Sequence, residues 1–267
     1  MKSHNPVLSR LGEAAQREQA ATYAPPAPVG HGQPYPTQTG FPTAPVVAPM
    51  TIDDVVVRTV GLLALLGVSA AVAWTTVPDA LNLPVLIAAA LTGLVVGLVI
   101  AFARVTNPLV IGGYAVIEGV FLGLLSKQFS AAYDGIVLQA VVATFGVFFL
   151  MAGLYKFKVI RATPKFVRGI IAAMVGVFGL MMINLVLSFF GINTGLRDGS
   201  PLAIGFSLVC IVIAALSFVL DFHEIEEGVR YGMPRKYAWA CAFGIVVGLI
   251  WLYIEILRLL QALGGDD

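Results

Sequence analysis

The chain has 267 residues, of which 58% are hydrophobic and 12% are charged, against roughly 25% charged in a typical soluble domain. Its formal net charge of +1 excludes the large basic field that a nucleic-acid partner requires. This composition predicts an all-α membrane protein that is surrounded by a lipid bilayer and binds no nucleic acid.

The first part of the chain, residues 1–54, is predicted to be a disordered, Pro-rich tail on the cytoplasmic side. Nine of the fifteen prolines fall before residue 50, and the run from Tyr23 to Pro49 has almost no charge and little to bury. No apolar stretch lies near the start of the tail, so we do not expect a cleaved signal peptide. Such a tail either binds small recognition domains or is a plain tether.

Seven long apolar stretches follow and form the predicted transmembrane domain, residues 55–263. Each comes close to the roughly 20 apolar residues that cross a hydrocarbon core of about 30 Å. They cover residues 56–76, 84–103, 109–125, 136–155, 169–191, 201–221 and 238–260. The six prolines beyond the tail all lie at a predicted span end or in a connection, as expected of helices that proline would break. The sequence therefore predicts a seven-helix bundle.

The basic residues predict the orientation of the bundle. If the N-terminus lies inside, the inner segments carry 13 of the 16 Lys and Arg residues, and only Lys127, Arg197 and Arg258 lie outside. Basic residues stay on the cytoplasmic side, so we expect a cytoplasmic N-terminus, an outer C-terminus and a place in the plasma (inner) membrane. Arg58 and Arg258 lie near span ends, where their long side chains can reach the interface, and we assign them no functional role.

Charged residues within the spans need a reason, because a charge in a membrane helix costs at least roughly 2.5 kcal/mol on insertion scales. Glu118 of the third span and Glu255 of the seventh lie deep, at heights of roughly 14 Å and 22 Å above the inner boundary. Asn184 of the fifth span lies at about the height of Glu255. Asp221 closes the sixth span and Arg104 closes the second.

Carboxylates at several heights are typical of a path for cations or protons. Their oxygens replace the water molecules that the ion loses on entry, and no single site binds the ion too tightly for it to move on. Asp221, Glu255 and Glu118 are therefore candidates for the ion path and the pH sensor, with Asn184 as a polar side chain of the lining. The alternative is that these groups only form hydrogen bonds between neighbouring helices. Asp221 and Arg104 can also be ordinary residues at cytoplasmic helix ends.

The residues after Asp221 keep helical spacing, which predicts that the sixth helix continues past the membrane. Glu226 and Arg230 are spaced to form an i, i+4 ion pair, and Gly232 predicts a left-handed cap after the helix. His223 by itself does not make a metal site. The acidic end of this helix is either simply solvated or a vestibule that attracts cations.

Three stretches resemble the Bax inhibitor-1 family, and the chain looks like a prokaryotic-type member with a long Pro-rich tail. The run VLDFHEI around Asp221 resembles the aspartate block at the end of the family's sixth helix. The run LYIEILRLL around Glu255 resembles its last-helix block, in which a second aspartate is usual. The run AFAR, which ends at Arg104, is similar to the end of a second helix with a basic latch residue. The resemblance covers residues 55–263, and the tail has no counterpart in it.

The resemblance implies six helices around a central seventh and a pH-sensitive calcium leak. It implies that Asp221 and Glu255 pair, sense protons and hold calcium transiently, without a resident cofactor. It also implies that a salt bridge from Arg104 to Asp221 closes the inner mouth, so that neutralising either residue raises basal cation flux. Spacing along the chain conflicts with a direct pair, because a plain hairpin offsets Asp221 and Glu255 by about ten residues, roughly 15 Å.

Enzyme motifs do not appear in the sequence, which has no HExxH and no serine–histidine nucleophile pair in the spans. We therefore expect no enzymatic activity. The alternatives to a channel for calcium or protons are a proton-coupled secondary transporter, which uses buried carboxylates equally, and a non-conducting regulator that acts through its helices and tail. Broken half-helices in matching halves would favour the transporter, and the sequence shows no internal repeat.

Overall fold

The computed structural model describes residues 48–131, 133–191, 195 and 200–264. Within these residues it contains seven long helices, each of sufficient length and hydropathy to cross a membrane. They are α1 (Ile52–Thr76), α2 (Asp79–Ala103), α3 (Pro108–Ser130), α4 (Ile136–Lys156), α5 (Pro164–Phe189), α6 (Pro201–Arg230) and α7 (Ala238–Gly264), with a 3₁₀ turn (Arg235–Tyr237) before α7. The predicted fold, an all-α membrane protein of seven helices, is confirmed.

The first helix begins earlier than the domain boundary that we predicted at residue 55. Thr51 is the N-cap of α1: its side chain accepts a hydrogen bond from the Asp54 backbone N–H (3.1 Å), and the Asp54 side chain accepts one from the Thr51 backbone N–H (3.2 Å). This capping box satisfies two N–H groups that a helix start otherwise leaves without partners. The rest of the predicted tail, residues 1–47, lies outside the described residues.

Prolines mark the starts of three other helices. Pro108, Pro164 and Pro201 each occupy the first helical turn, where a missing N–H removes no helical hydrogen bond. The residue before each of them caps the helix through its side chain. Pro84 departs from the prediction, because α2 already begins at Asp79 and contains Pro84. Pro84 is the sixth residue of α2, beyond the first turn, so its missing N–H removes one helical hydrogen bond, that to the Ala80 carbonyl.

Glycines bring α3 into backbone contact with α1. A Cβ atom added to Gly119 would collide with the Ser69 side chain and the Leu66 carbonyl, and one added to Gly123 would collide with the Ala70 backbone. Gly119 and Gly123 are four residues apart on one face of α3. This small-xxx-small spacing lets membrane helices approach closely.

The seventh helix is the most buried of the seven and packs against α1, α3, α4 and α6. Its buried residues extend from Ala238 to Leu257, nearly the whole length of the helix. In contrast, α5 packs mainly on α6 and is the least buried. The central seventh helix that the resemblance implies is present.

The sixth helix continues to Arg230, as the spacing predicts, and Gly232 follows it with a left-handed backbone (φ 64°). The predicted pair of Glu226 and Arg230 is wrong. Arg230 instead pairs with Glu227 (3.4 Å), while Glu226 accepts a hydrogen bond of 2.5 Å from the Tyr155 hydroxyl. The reason is that α4 packs on this part of α6 and offers Glu226 a nearer partner.

The segment before α1 is joined to the turn between α6 and α7. The Met50 N–H donates to the Met233 carbonyl (2.7 Å), and the Arg235 N–H donates to the Ala48 carbonyl (3.0 Å). The Arg235 side chain also forms an ion pair with Asp54 (2.6 Å). The start of α1 is therefore held against the α6–α7 turn.

Candidate ion-path residues along the central helix

Glu118 of α3 is buried against α2. Its side chain is 8% exposed, and a Cβ atom added to Gly93 would lie 2.5 Å from its Oε1 atom. Tyr114, one turn earlier on α3, packs over Gly97 in the same way, with its Cε2 atom 3.1 Å from an added Cβ. Gly93 and Gly97 thus form a groove in α2 that receives both side chains. Glu118 therefore lies inside the protein, while its role in an ion path stays a prediction.

Asp221 lies on the face of α6 that packs against α7. Its Oδ1 atom would lie 3.3 Å from a Cβ atom added to Gly244, and the residue is half-buried. Phe218, one turn earlier, is fully buried and packs over Gly248, with its Cε1 atom 2.8 Å from an added Cβ. Two glycines of α7 therefore make the room that these side chains of α6 occupy.

Glu255 is the most deeply buried of the three carboxylates, with 1% of its surface exposed. Its Oε1 atom forms an ion pair of 3.3 Å with Nη1 of Arg258, one turn later on α7. The Arg258 side chain is 23% exposed, so the guanidinium remains partly accessible while it balances the buried carboxylate. This pairing lowers the cost of placing Glu255 in a membrane helix.

Two contacts between α3 and α7 fix the relative heights of the carboxylates. Tyr114 meets Phe243 edge to face, with 5.0 Å between the ring centroids. Further along both helices, Ser126 and Tyr253 share a buried hydrogen bond of 2.6 Å between their hydroxyls. The partners advance together along the chain, so α3 and α7 run parallel.

Counting residues from these contacts orders the three acids along α7. Asp221, opposite Gly244, lies nearest to the start of α7. Glu118, one turn beyond Tyr114, lies about 5 Å further along, and Glu255 lies about 12 Å beyond Glu118. The carboxylates therefore occur at three heights in the order expected from the spans, and their role in an ion path stays a prediction.

Asp221 and Glu255 do not meet. From Gly244, which Asp221 faces, to Glu255 is eleven residues (255 minus 244), or about 16 Å along the helix. One calcium ion binds oxygens at roughly 2.3–2.6 Å, so the two acids cannot share an ion here. In the part of the chain that the structure describes, no three His, Cys, Asp or Glu side chains are grouped to hold a metal. The implied pair and shared calcium site are not formed because the short α6–α7 connection keeps the offset of a plain hairpin.

Arg104 is exposed at the end of α2, where it is the C-cap with a left-handed backbone (φ 50°). Among the described residues, no acid forms an ion pair with it. The implied latch to Asp221 is not formed, because α2 packs mainly on α3 whereas Asp221 faces α7. A latch stays a prediction about another conformation.

Asn184 lies half-buried on α5. Its helix packs mainly on α6, whereas Glu118 and Glu255 lie on α3 and α7. The packing of α5 therefore gives no support to a place for Asn184 beside these acids, and its role in the lining stays a prediction.

Sequence reasoning missed the partners of the deep acids. The i, i+3 spacing of Glu255 and Arg258 is a readable signal for an ion pair on one helix, although we assigned Arg258 no role. The i, i+4 spacing of Tyr114 and Glu118 is equally readable. The bond between Ser126 and Tyr253 has no local signal, because 127 residues separate the two in the chain.

The fold and these acids define a class of protein: a polytopic α-helical membrane protein with carboxylates within its membrane helices. The chain matches the family described as Bax inhibitor 1 like over residues 5–265, and it belongs to that family. The match begins at residue 5 and so includes most of the tail. We expected the tail to have no counterpart in the family, because the resemblance rested on three stretches at helix ends. No curated protein matches the chain.

Proposed function

We propose that this protein is a cation leak channel, with calcium as its main permeant ion and a path along α7. The observation that best supports this proposal is the order of the three acids at three heights: Asp221 faces α7, Glu255 lies on α7, and Glu118 lies on α3, which runs parallel to α7, with its side chain against α2. Carboxylate oxygens at successive heights can replace the hydration of a cation as it passes. Membership of the family supports a membrane protein of that kind, and the family is not known for enzymatic activity.

The conformation described fits the closed state of such a channel. Between the heights of Asp221 and Glu255, Phe218 fills the α6–α7 interface over Gly248. At the outer end, Arg258 balances the charge of Glu255. Opening then requires that Phe218 turns away from α7 and that Arg258 releases Glu255. The carboxylate of Glu255 can then bind a cation.

The same carboxylates give the proposed channel its response to pH. Asp221 is half-buried and lies nearest to the start of α7, with exposed Glu224 one turn away on α6. A carboxylate attracts a cation only while it is ionised, so binding of a proton to Asp221 removes the attraction. We therefore expect calcium flux to fall as the pH is lowered.

Calcium flux into dye-loaded liposomes that contain the purified full-length protein tests the proposal. We expect flux above that of protein-free liposomes and a severalfold decrease for Asp221→Asn. The matched control is Glu224→Gln, which neutralises an exposed acid one turn away on the same helix and is expected to leave the flux close to the wild-type value. Repeating the series across pH tests the sensing role of Asp221, because the variant should lose most of the pH dependence.

Three outcomes would overturn the channel. Flux no greater than that of protein-free liposomes would favour a non-conducting regulator. Flux that saturates and stops when the proton gradient is collapsed would indicate a proton-coupled carrier. Equal effects of Asp221→Asn and Glu224→Gln would show that the position of Asp221 at the α6–α7 interface has no special role in permeation.

A further inference from the structure

An apolar cleft opens at the side of the bundle, separate from the Glu255 end of the proposed path. Its volume is about 870 Å³, within the range of roughly 300–1,000 Å³ that is usual for ligand sites. The side chains of α1 and α4 form most of its lining, among them Val56, Phe145 and Phe149, and Phe222 of α6 contributes at the inner end. Both α1 and α4 pack on α7, and the cleft lies between them.

Three basic residues surround the mouth of this cleft: Lys156, Lys158 and Arg161, at the end of α4 and in the loop that follows it. All three are exposed, and within the described residues none of them forms an ion pair. Among the described residues that line the cleft, the only acid is Glu226, whose carboxylate accepts a hydrogen bond from the Tyr155 hydroxyl. The mouth therefore carries a surplus of positive charge at the end of an apolar space.

The loop that carries these cations is folded back on α4 rather than extended away from it. The Lys158 N–H donates to the Tyr155 carbonyl (2.9 Å), and the Val159 N–H donates to the Leu154 carbonyl (2.9 Å). Lys158 has a left-handed backbone (φ 58°), which reverses the chain at this point. The reversal returns Arg161 to the lining of the cleft, so that cations from the helix and from the loop face one space.

Deeper in the cleft, the Thr59 side chain lies without a hydrogen-bond partner. Thr59 is 7% exposed and lines the cleft, and no described residue accepts from or donates to its Oγ1 atom. A buried hydroxyl without a partner costs roughly 1–3 kcal/mol. A ligand that places an acceptor oxygen beside Thr59 removes that cost.

We propose that this cleft binds one anionic phospholipid of the surrounding bilayer. One acyl chain lies between α1 and α4, the phosphate lies among Lys156, Lys158 and Arg161, and Thr59 donates a hydrogen bond to an ester carbonyl of the lipid. Basic pockets between membrane helices recognise such headgroups, and charged hydrogen bonds to phosphate are strong. The proposal does not depend on ion conduction.

The positive-inside tendency alone does not explain this arrangement. That tendency requires basic residues near the span ends and says nothing about a cleft. Lys165 and Arg168 satisfy it equally well: both are exposed at the start of α5, on the same side of the membrane by chain order, and neither lines the cleft. These two residues therefore provide a control that matches the charge and the side of the membrane.

Native mass spectrometry of the full-length protein in detergent tests the proposal, with phosphatidylglycerol or phosphatidylcholine added as the probe. We expect one phosphatidylglycerol to bind in preference to phosphatidylcholine. In the double variant Lys156→Gln/Arg161→Gln the affinity for phosphatidylglycerol should fall roughly tenfold or more, whereas Lys165→Gln/Arg168→Gln should keep it. Ala152→Phe fills the cleft and should abolish binding, whereas Val142→Phe, on an exposed face of α4 outside the cleft, should not.

Each contrary result overturns the proposal. If Lys156→Gln/Arg161→Gln and Lys165→Gln/Arg168→Gln lose the same affinity for phosphatidylglycerol, the headgroup is attracted by all the basic residues on this side of the membrane and not by those of the cleft. Binding that survives Ala152→Phe would place the lipid elsewhere. A fatty acid that is released from the purified protein, or a dimer that excludes lipid, would identify a different occupant. Thermal unfolding of every variant in detergent checks that the loss of binding is not a loss of fold.

Discussion

Glu118 and Glu255 are two glutamates buried in membrane helices, and their surroundings differ. Glu255 has Arg258 one turn away, and the ion pair of 3.3 Å balances its charge locally. Glu118 lies in the glycine groove of α2, and within the described residues no basic side chain forms an ion pair with it. One acid is therefore balanced by charge, and the other is accommodated by shape.

This difference indicates which kind of substitution disrupts each site. A site that depends on an opposite charge fails when one partner is removed, because the remaining charge is buried without compensation. A site that depends on space fails when the space is filled, because packed helices cannot absorb an added methyl group without movement. Substitutions at the two glutamates and their neighbours can separate these cases.

The largest effect is expected near the C-terminal end of α7. Arg258→Gln leaves Glu255, which is 1% exposed, as a buried carboxylate without its counter-charge. We expect the free energy of unfolding to fall by about 3–5 kcal/mol, measured by unfolding of the purified protein in mixed micelles of SDS and detergent.

The double variant Glu255→Gln/Arg258→Gln provides the control for this prediction. Removing both charges should restore most of the lost stability, because no buried charge remains. Glu255→Gln alone should cost less than Arg258→Gln, since the Arg258 side chain is already 23% exposed and can reach the interface. Additive losses in the double variant would contradict a coupled pair.

The next effect is expected in the groove of α2. Gly93→Ala places a methyl group 2.5 Å from Glu118 Oε1, so the glutamate must shift within a packed interface. We expect a loss of about 1–3 kcal/mol in the same unfolding measurement. Gly113→Ala is the matched control, because its added Cβ meets nothing within 4 Å and alanine favours a helix by about 0.5–1 kcal/mol. Similar results for the two variants would mean that the groove does not confine Glu118.

A smaller effect is expected for Glu118→Gln, which keeps the shape of the side chain and breaks no ion pair. The free energy of unfolding should change by less than about 1.5 kcal/mol, because the substitution alters at most the hydrogen bond between the Glu118 and Tyr114 side chains. Calcium flux in liposomes should nevertheless fall severalfold if Glu118 belongs to the proposed path. A loss of stability as large as that of Arg258→Gln would show that Glu118 too depends on a charge.

Much of the fold follows from local patterns in the sequence. Hydropathy alone predicts the seven helices, because each must cover the apolar core of the bilayer. The start of α1 was also readable, since Thr51 and Asp54 have the spacing of a capping box. The rule for proline misplaced the start of α2, because Pro84 lies inside the helix, beyond the first turn in which proline is usual.

The candidate site was predictable residue by residue but not as an arrangement. The cost of a buried charge identified Glu118 and Glu255 as interior residues. Their partners depend on which helices pack together: α2 receives Glu118 in a groove, and Asp221 faces Gly244 of α7. Spacing along one chain does not specify such packing, and for this reason the implied contact between Arg104 and Asp221 is not found.

Arg104 gives the smallest expected effect, since it lies outside both glutamate sites. It is exposed at the end of α2, and no acid of the described residues forms an ion pair with it. Arg104→Ala should therefore change the free energy of unfolding by no more than about 0.5 kcal/mol, as usual for surface substitutions, and should leave basal calcium flux unchanged. The resemblance implies the opposite, a rise in basal flux on loss of a latch. Calcium flux through Arg104→Ala decides between these two expectations, with Arg168→Ala as an exposed control on the same side of the membrane by chain order. A rise in flux confined to Arg104→Ala would mean that Arg104 closes the channel in a conformation in which α2 has moved toward α6.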